Sequence, residues 1–463
     1  MAPRSPAPAP PLRDETLGCV HPHAAGVDIG SEELVVAVSP ECDPEPVRVF
    51  RSFTADLEDL VAWLLQCKVD TVAMESTGVY WIPLYDLLEH HGIVPVLVNP
   101  QHVKTVPGRK TDWNDAQWLQ KLHTFGLLQA SFRPAADMRE IRTLLRHRAQ
   151  LIEHRSPHVN HIQQALKHMN VQLGVVLTDI MGATGQAILR AIVAGERDPV
   201  VLAQLRNPAC KSPQELLAKA LMGTWQDEHI FILRQALELY DFYTGQLQAC
   251  DQQIEQRMLA LSPQVEGAEL LEALPAAKPN SKSKNQPAFN ARLHLARITG
   301  VDLVAVTGLA ASTVQTIISE IGTDMSKFPT VKHFCSWLGL APHNDISGGK
   351  VLRRRTLTVK NRAAQAFRMA AQAVSRSDNT FGAFFRSMRA RHGPQQAIVA
   401  TAHKLARVVY HLLTHREAFD PKKVEIDDQV RRERERKRLA RRAEQLGYVL
   451  TPAVEPGVPA PSS

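Results

Sequence analysis

The sequence predicts an α/β unit at its amino-terminal end, then long coiled-coil helices, then a mainly α-helical carboxy-terminal region. Three observations carry this. Short β-type apolar runs alternate with helical spacing from Gly26 to about residue 130. Apolar residues then recur at every seventh position. The rest is alanine-rich, with apolar stripes of helix length.

In the first region, GVDIG (26–30), a turn-like SEE and LVVAV (34–38) read as two short strands joined by a tight connection. VDTVAM (69–74), ending at Glu75, and VPVLV (94–98) are two more β-type runs. Between them WIPLYDLLEHHG (81–92) has helical spacing and a glycine stop. The heptad stripe runs through Met138, Leu145, Ile152, Val159, Leu166 and Leu173, with Ile141, Ile162 and Met169 three residues on. Arg148 and Arg155 occupy two of its inner positions, and Pro157 is expected to interrupt it. A second stripe, Leu233, Tyr240, Leu247, Ile254 and Leu261, allows pairing within one chain or between two, and both stay open. PAAKPNSKSKNQP (275–287) has the composition of a flexible linker. The resulting divisions are a disordered proline-rich tail (1–20), the α/β domain (21–135), a helical region (136–270), a linker (271–290), a second globular domain (291–418) and a basic tail (419–463).

The chain has 463 residues, 44% of them hydrophobic, and a formal net charge of +7. No run approaches the roughly 20 apolar residues that cross a bilayer. MAPRSPAPAPPLR lacks the apolar segment of a signal peptide, and six scattered cysteines without a C-x-x-C pair argue against a zinc ribbon or a disulfide framework. The expectation is a cytoplasmic, nucleoid-associated protein. The charge is polarised. Residues 1–130 hold 17 acids against 9 bases, residues 350–391 hold 11 bases against Asp378 alone, and residues 431–442 hold 8 bases against 2 acids. A basic stretch with a single acid favours nucleic acid over a mixed solvated surface, whereas for 431–442 the two readings balance.

Asp28 and Glu75 each sit where a β-run ends, and Asp112 and Asp115 are three apart, on one side of a helix. Carboxylates converging from separate elements repel unless cations neutralise them, and oxygen-only donors suit Mg²⁺, with Mn²⁺ as a substitute. Singly, each acid has a duller role: Asp28 opening a phosphate-binding turn, Glu75 capping a segment, Asp112 capping a helix.

GVDIG, AMESTGVYW, VLVNPQHVK and GRKTDWNDA closely resemble the RuvC-like, RNase H-like DEDD domain of the IS-one-ten insertion-sequence transposases over about 26–130. The resemblance implies that Asp28, Glu75, Asp112 and Asp115 are the metal-binding set. Downstream, FCSWLGLAPHNDISGGK (334–350) and the arginine-rich segments after it are similar to the family's carboxy-terminal transposase domain, over roughly 295–415. Its motif serine falls on Ser347. By chemistry alone, a serine before Gly348 and Gly349 is accessible, and Lys350, Arg353, Arg354, Arg355, Lys360, Arg362 and Arg368 suit phosphate contacts. A serine hydroxyl needs a base or metal to act as a nucleophile, and His343 is the near histidine. TGLAASTVQTIISEIG (307–322) resembles a helix-hairpin-helix, although Leu309 replaces the second turn glycine; a plain helical hairpin fits equally.

The resemblance implies a DNA transposase that cuts and rejoins element ends and target through a serine nucleophile with Mg²⁺. It further implies a structured guide RNA encoded by the element and a dimer or tetramer, with no membrane partner. Competing readings are a metal-only nuclease or junction resolvase, a sugar-kinase or actin-like phosphotransferase suggested by GVDIGS, and a non-catalytic nucleic-acid scaffold.

Overall fold

In the computed structural model the described residues are 18–76, 78–98, 112–264, 274, 284–348, 350–356, 359, 361–449 and 451. The expectations for residues 1–17, for 275–283 of the linker, for Lys360 and for 452–463 lie outside them, as do the side chains of Asp112, His343, Arg353, Arg354 and Arg355. The chain divides into two compact units between Arg133 and Pro134. Among the described residues no helix is long and apolar enough to cross a membrane.

The first unit is built on a mixed five-stranded sheet: β1 (Ala24–Ile29), β2 (Glu33–Ala37), β3 (Val47–Arg51), β4 (Thr71–Glu75) and β5 (Val94–Val98). Their spatial order is β3-β2-β1-β4-β5. β1 to β3 form an antiparallel meander, and β4 and β5 join parallel to β1. This is the RuvC-like arrangement. Two-residue periodicity gives β1 two different faces. Ala25, Val27 and Ile29 pack in one core with α1 (Thr54–Gln66) and α2 (Trp81–His90), through Leu60, Leu64, Leu84 and Leu88. Ala24, Gly26 and Asp28 look the other way, toward α3 (Asp112–Thr124). β3 and α1 have no counterpart in the sequence reading.

The second unit begins with α4 (Ala136–His168) and, after four short helices, α9 (Asp227–Ala260). The short helices are α5 (Leu173–Val176), α6 (Ala183–Ala194), α7 (Pro199–Gln204) and α8 (Gln214–Ala220). Glu140 meets Arg257, Arg148 meets Asp251, His154 stacks on Tyr243 and His168 on His229, so α4 and α9 run antiparallel along their length. The two heptad stripes therefore satisfy each other within one chain. Their far end packs with α5 to α8 around Ile162, Met169, Ile188 and Leu233.

Pro157 does not interrupt α4, contrary to the sequence expectation. It lies on the exposed side, as does Glu153 one turn earlier, so the carbonyl that loses its N–H donor faces water. Burial along the opposite side offsets the roughly 3 kcal/mol a helical proline costs. The two arginines at inner positions are buried as deeply as the apolar residues around them, at 7% and 6% exposure.

The remainder comprises α10 (Ala291–Thr299), α11 (Ala311–Ile321), α12 (Val331–Trp337), a β-hairpin of β6 (Pro342–Ser347) and β7 (Lys350–Thr356), α13 (Arg362–Val374), α14 (Thr380–His392), α15 (Pro394–His415) and α16 (Pro421–Gln445). α13 buries Ala363, Ala364, Ala366, Phe367, Ala370, Ala371 and Val374, a narrow alanine face that lets α11 and α15 come close. Arg146 of α4 grips Glu320 of α11 with both carboxylate oxygens at 2.8 Å, tying the helical pair to this region.

Candidate active site

Strand register brings the first two acids together. Val27 of β1 is paired with Met74 of β4 in parallel, so the next residues, Asp28 and Glu75, stand side by side at the carboxyl ends of the two central strands. Both are half-buried. Alternation puts them on the face covered by α3, because Val27 and Met74 point fully into the opposite core.

The third element is placed just as tightly. A Cβ on Gly26 would collide with the backbone of Ala116 and Gln120, so α3 lies on β1 at backbone distance. The Thr71 hydroxyl and His123 Nε2 are 2.8 Å apart, which fixes the carboxyl end of α3 near the start of β4. From His123 through Gln120 to Ala116, α3 thus runs antiparallel to β1, and its first turn, carrying Asp112 and Asp115, arrives at the strand ends where Asp28 and Glu75 sit. Asp115 is one turn before Leu119, a buried position of the sheet-facing stripe. Burial drives the pKa of the His123 imidazole down to about 4, with His21 lowering it further and Asp70 opposing the shift, so it is neutral at pH 7 and a structural partner of Thr71.

Carboxylate oxygens such as those of Asp28 and Glu75 are the donor type a hard divalent cation takes. Among the described residues, Asp28, Glu75 and Asp115 included, no group of three or more His, Cys, Asp or Glu side chains is gathered closely enough to hold an ion.

Ser347 lies in the second unit, as the last residue of β6. Its partner across the turn is Lys350, and Gly348 in the connection has φ +54°, a left-handed conformation that suits glycine. Ser347 and Lys350 are both exposed at the tip of this hairpin. Arg353, Arg354 and Arg355 follow along β7, opposite Asp345, Asn344 and His343. His343 is four residues back along β6, whose pairing with β7 shifts register between Asp345 and Ile346. Arg362 and Arg368 begin and continue α13, about 120° apart around its axis. The structure therefore joins Ser347 to Lys350 and separates the remaining cations over a strand and a helix. Gly308 (φ +95°) is closed in by Val374, and Leu309 is buried, so packing alone accounts for the turn of the 307–322 segment.

Two family models match this chain. One, described as a transposase DEDD domain, spans residues 25–171; the other, described as the Transposase IS116/IS110/IS902 family, spans 302–386. The chain belongs to the IS110 family of transposases. No curated protein matches it. The first match contains all four acids and the second contains Ser347 and the cations from Lys350 to Arg368, in the same order. A DEDD-type transposase domain implies a divalent metal ion and a DNA substrate.

Gly26 was missed as a functional position, being read only as the start of a strand. The signal was present: Ala24, Gly26 and Ala73 form a floor of small residues on one face, with Gly26 and Ala73 paired. We expect Gly26→Val in this transposase to push α3 off the sheet. The first unit should lose about 1–3 kcal/mol, and strand transfer should fall by about a hundredfold as the α3 acids shift by an ångström or more. Denaturation and a transfer assay on the same preparation check this; normal transfer would show that close contact between α3 and β1 is unnecessary.

Proposed function

We propose that this transposase cuts and rejoins DNA strands with a metal-binding set formed by Asp28, Glu75, Asp112 and Asp115 and a nucleophile supplied by Ser347. The parallel register of β1 and β4, which sets two carboxylates side by side beneath the first turn of α3, is the observation that most supports it. Mg²⁺ held by these acids would neutralise charge on the scissile phosphate and assist both the attacking and the leaving oxygen. The work of the chain's own residues can be written without further parts. Ser347 Oγ forms a bond to phosphorus as the bond from phosphorus to one strand oxygen breaks. The hydroxyl proton passes to solvent, and the departing strand oxygen takes one up. Attack by a hydroxyl of the new strand reverses these changes and frees the serine. One phosphodiester is lost for each one made, so no nucleotide triphosphate is consumed. Lys350, opposite Ser347, is placed to offset charge on the phosphate oxygens.

The basic segment from Lys350 to Arg391 suits nucleic-acid backbone rather than base edges. That division of labour agrees with a structured guide RNA reading the sequence of donor and target, and with an oligomer that holds two duplexes. These two partners rest on the resemblance.

Labelled DNA, magnesium and the full chain should give a covalent protein–DNA species that survives denaturation. A chelator should prevent it and Ser347→Ala should remove it, with label mapping to the peptide that contains Ser347. A Ser347→Ala protein that still cleaves DNA, with no covalent species formed, would favour the metal-only nuclease, in which water attacks.

A further inference from the structure

Residues 387–463 lie beyond the second family match, and they supply most of the wall of one cavity, with Val331 and Phe384 added from inside the match. α14, α15 and the start of α16 enclose about 550 Å³, lined among others by Phe384, Lys404, Arg407, His411, His415 and Lys423. Two acids also line it, and each has structural work. Glu417 holds Lys423 at 2.8 Å and faces His411 at 3.7 Å, while Asp420 caps α16 by accepting from the Lys422 amide at 2.9 Å. The rest of the wall is mixed: Val331, Ala400, Val408, Leu412, Ala418 and Val424 are aliphatic, while the Lys404 ammonium lies 5.1 Å from the Phe384 ring centre and Arg407 is exposed.

α16 continues from this cavity and carries the basic run that the catalytic assignment leaves unused. Its residues from Arg436 to Arg441 are all exposed, and α14, which ends in Arg389, Arg391 and His392, packs against it. A solvated helix of alternating charge would account for a balanced run, and the helix dipole for cations in the last turn alone. Neither accounts for eight bases against two acids, one of which, Glu433, is already 3.8 Å from Lys437. Lys437, Arg438, Arg441 and Arg442 fall within an arc of about 140°, a stripe rather than a scatter.

We propose that the junction of α14, α15 and α16 binds the phosphate backbone of duplex DNA, with Arg407 and His411 at the cavity and Lys437, Arg438, Arg441 and Arg442 along α16, as a sequence-independent anchor. The positive stripe is complementary to a phosphate backbone, whose contacts carry no sequence information. From the functional reading the proposal takes only that DNA is the substrate.

The test is duplex binding by the full chain across a salt series with chelator present, where no strand chemistry occurs. Failure of the serine mechanism would leave this measurement intact, so the two are told apart. Replacing Lys437, Arg438, Arg441 and Arg442 by Gln should flatten the dependence of log affinity on log salt by about 3–4, close to 0.9 for each phosphate that is no longer neutralised. Replacing the three arginines by Lys should preserve the slope, since charge and helix propensity are kept. Arg407→Gln should flatten it by about 1. An unchanged slope in the four-Gln protein overturns the proposal. So does a flattened slope in the Lys variant, or an effect confined to structured RNA.

Discussion

Asp28→Asn is expected to abolish DNA cleavage while leaving the sheet intact. Asparagine has the size of aspartate and keeps one acceptor oxygen, so the β1 pairings to β2 and β4, which are backbone bonds, remain. What disappears is one negative charge beside Glu75, at the carboxyl ends of two paired strands. A hard divalent cation binds through charged oxygen, and an amide oxygen at that position is a poor replacement. The loss should reach at least about a thousandfold in cleavage rate, since it removes both the ion and the orientation of the phosphate it would hold. Metal titration by calorimetry and cleavage of labelled duplex give independent readouts, and circular dichroism verifies the fold. Glu75→Gln should behave alike. Wild-type cleavage by Asp28→Asn would exclude Asp28 from the reactive centre.

Much of this site was legible because strands announce their ends. GVDIG and VDTVAME each place an acid after apolar residues that need burial on one face, and parallel pairing of the two strands makes those acids neighbours. The approach of α3 was less legible. It depends on three-dimensional contact between Gly26 and the Ala116–Gln120 backbone, which no local pattern in β1 reports. β3 and α1 went unread because VRVFR is an edge strand, with only part of each face buried, so its alternation is blurred. The β6–β7 hairpin was hidden differently. Its strands are polar and arginine-rich and carry no apolar alternation, leaving Gly-Gly between Ser347 and Lys350 as the only cue.

The heptad stripe illustrates how a correct pattern can mislead in detail. Its period predicted the helices α4 and α9 and left their pairing open, within one chain or between two, and the inner arginines stood out in a hydrophobic seam. In the structure they are its best-anchored members. Arg148 Nε is 2.5 Å from Asp251 Oδ1 and its Nη2 is 3.2 Å from Oδ2, with Asp251 only 3% exposed. Arg155 lies over the Tyr240 ring and donates to Thr244 and, at 2.7 Å, to Asn285 Oδ1. The partners come from 85 to 137 residues away, beyond any periodicity in the sequence. Residues 284–288, assigned to a linker by composition, close over the pair: Arg148 donates to the Asn285 carbonyl at 3.0 Å and the Ala288 amide to Asp251 at 3.0 Å.

That arrangement predicts the largest stability effect in the chain. Arg148→Met should destabilise the second unit by about 3–5 kcal/mol, because methionine fills the space but leaves the Asp251 carboxylate buried without its guanidinium. Asp251→Leu should cost a similar amount by stranding Arg148. The double variant, Arg148→Met with Asp251→Leu, should recover most of the loss, since two apolar residues of suitable size need no desolvation of charge. Chemical denaturation of the three proteins measures the coupling, and its sign is diagnostic: strict additivity would mean that the two residues do not act as a pair. Hydrogen exchange separates stability from order. The Ala288 amide loses its acceptor whenever Asp251 is replaced, so it should exchange faster in the double variant even where the unit is again stable. A protected Ala288 in that protein would show that 284–288 is held by packing, and that the ion pair does not fasten the strap across the α4–α9 hairpin.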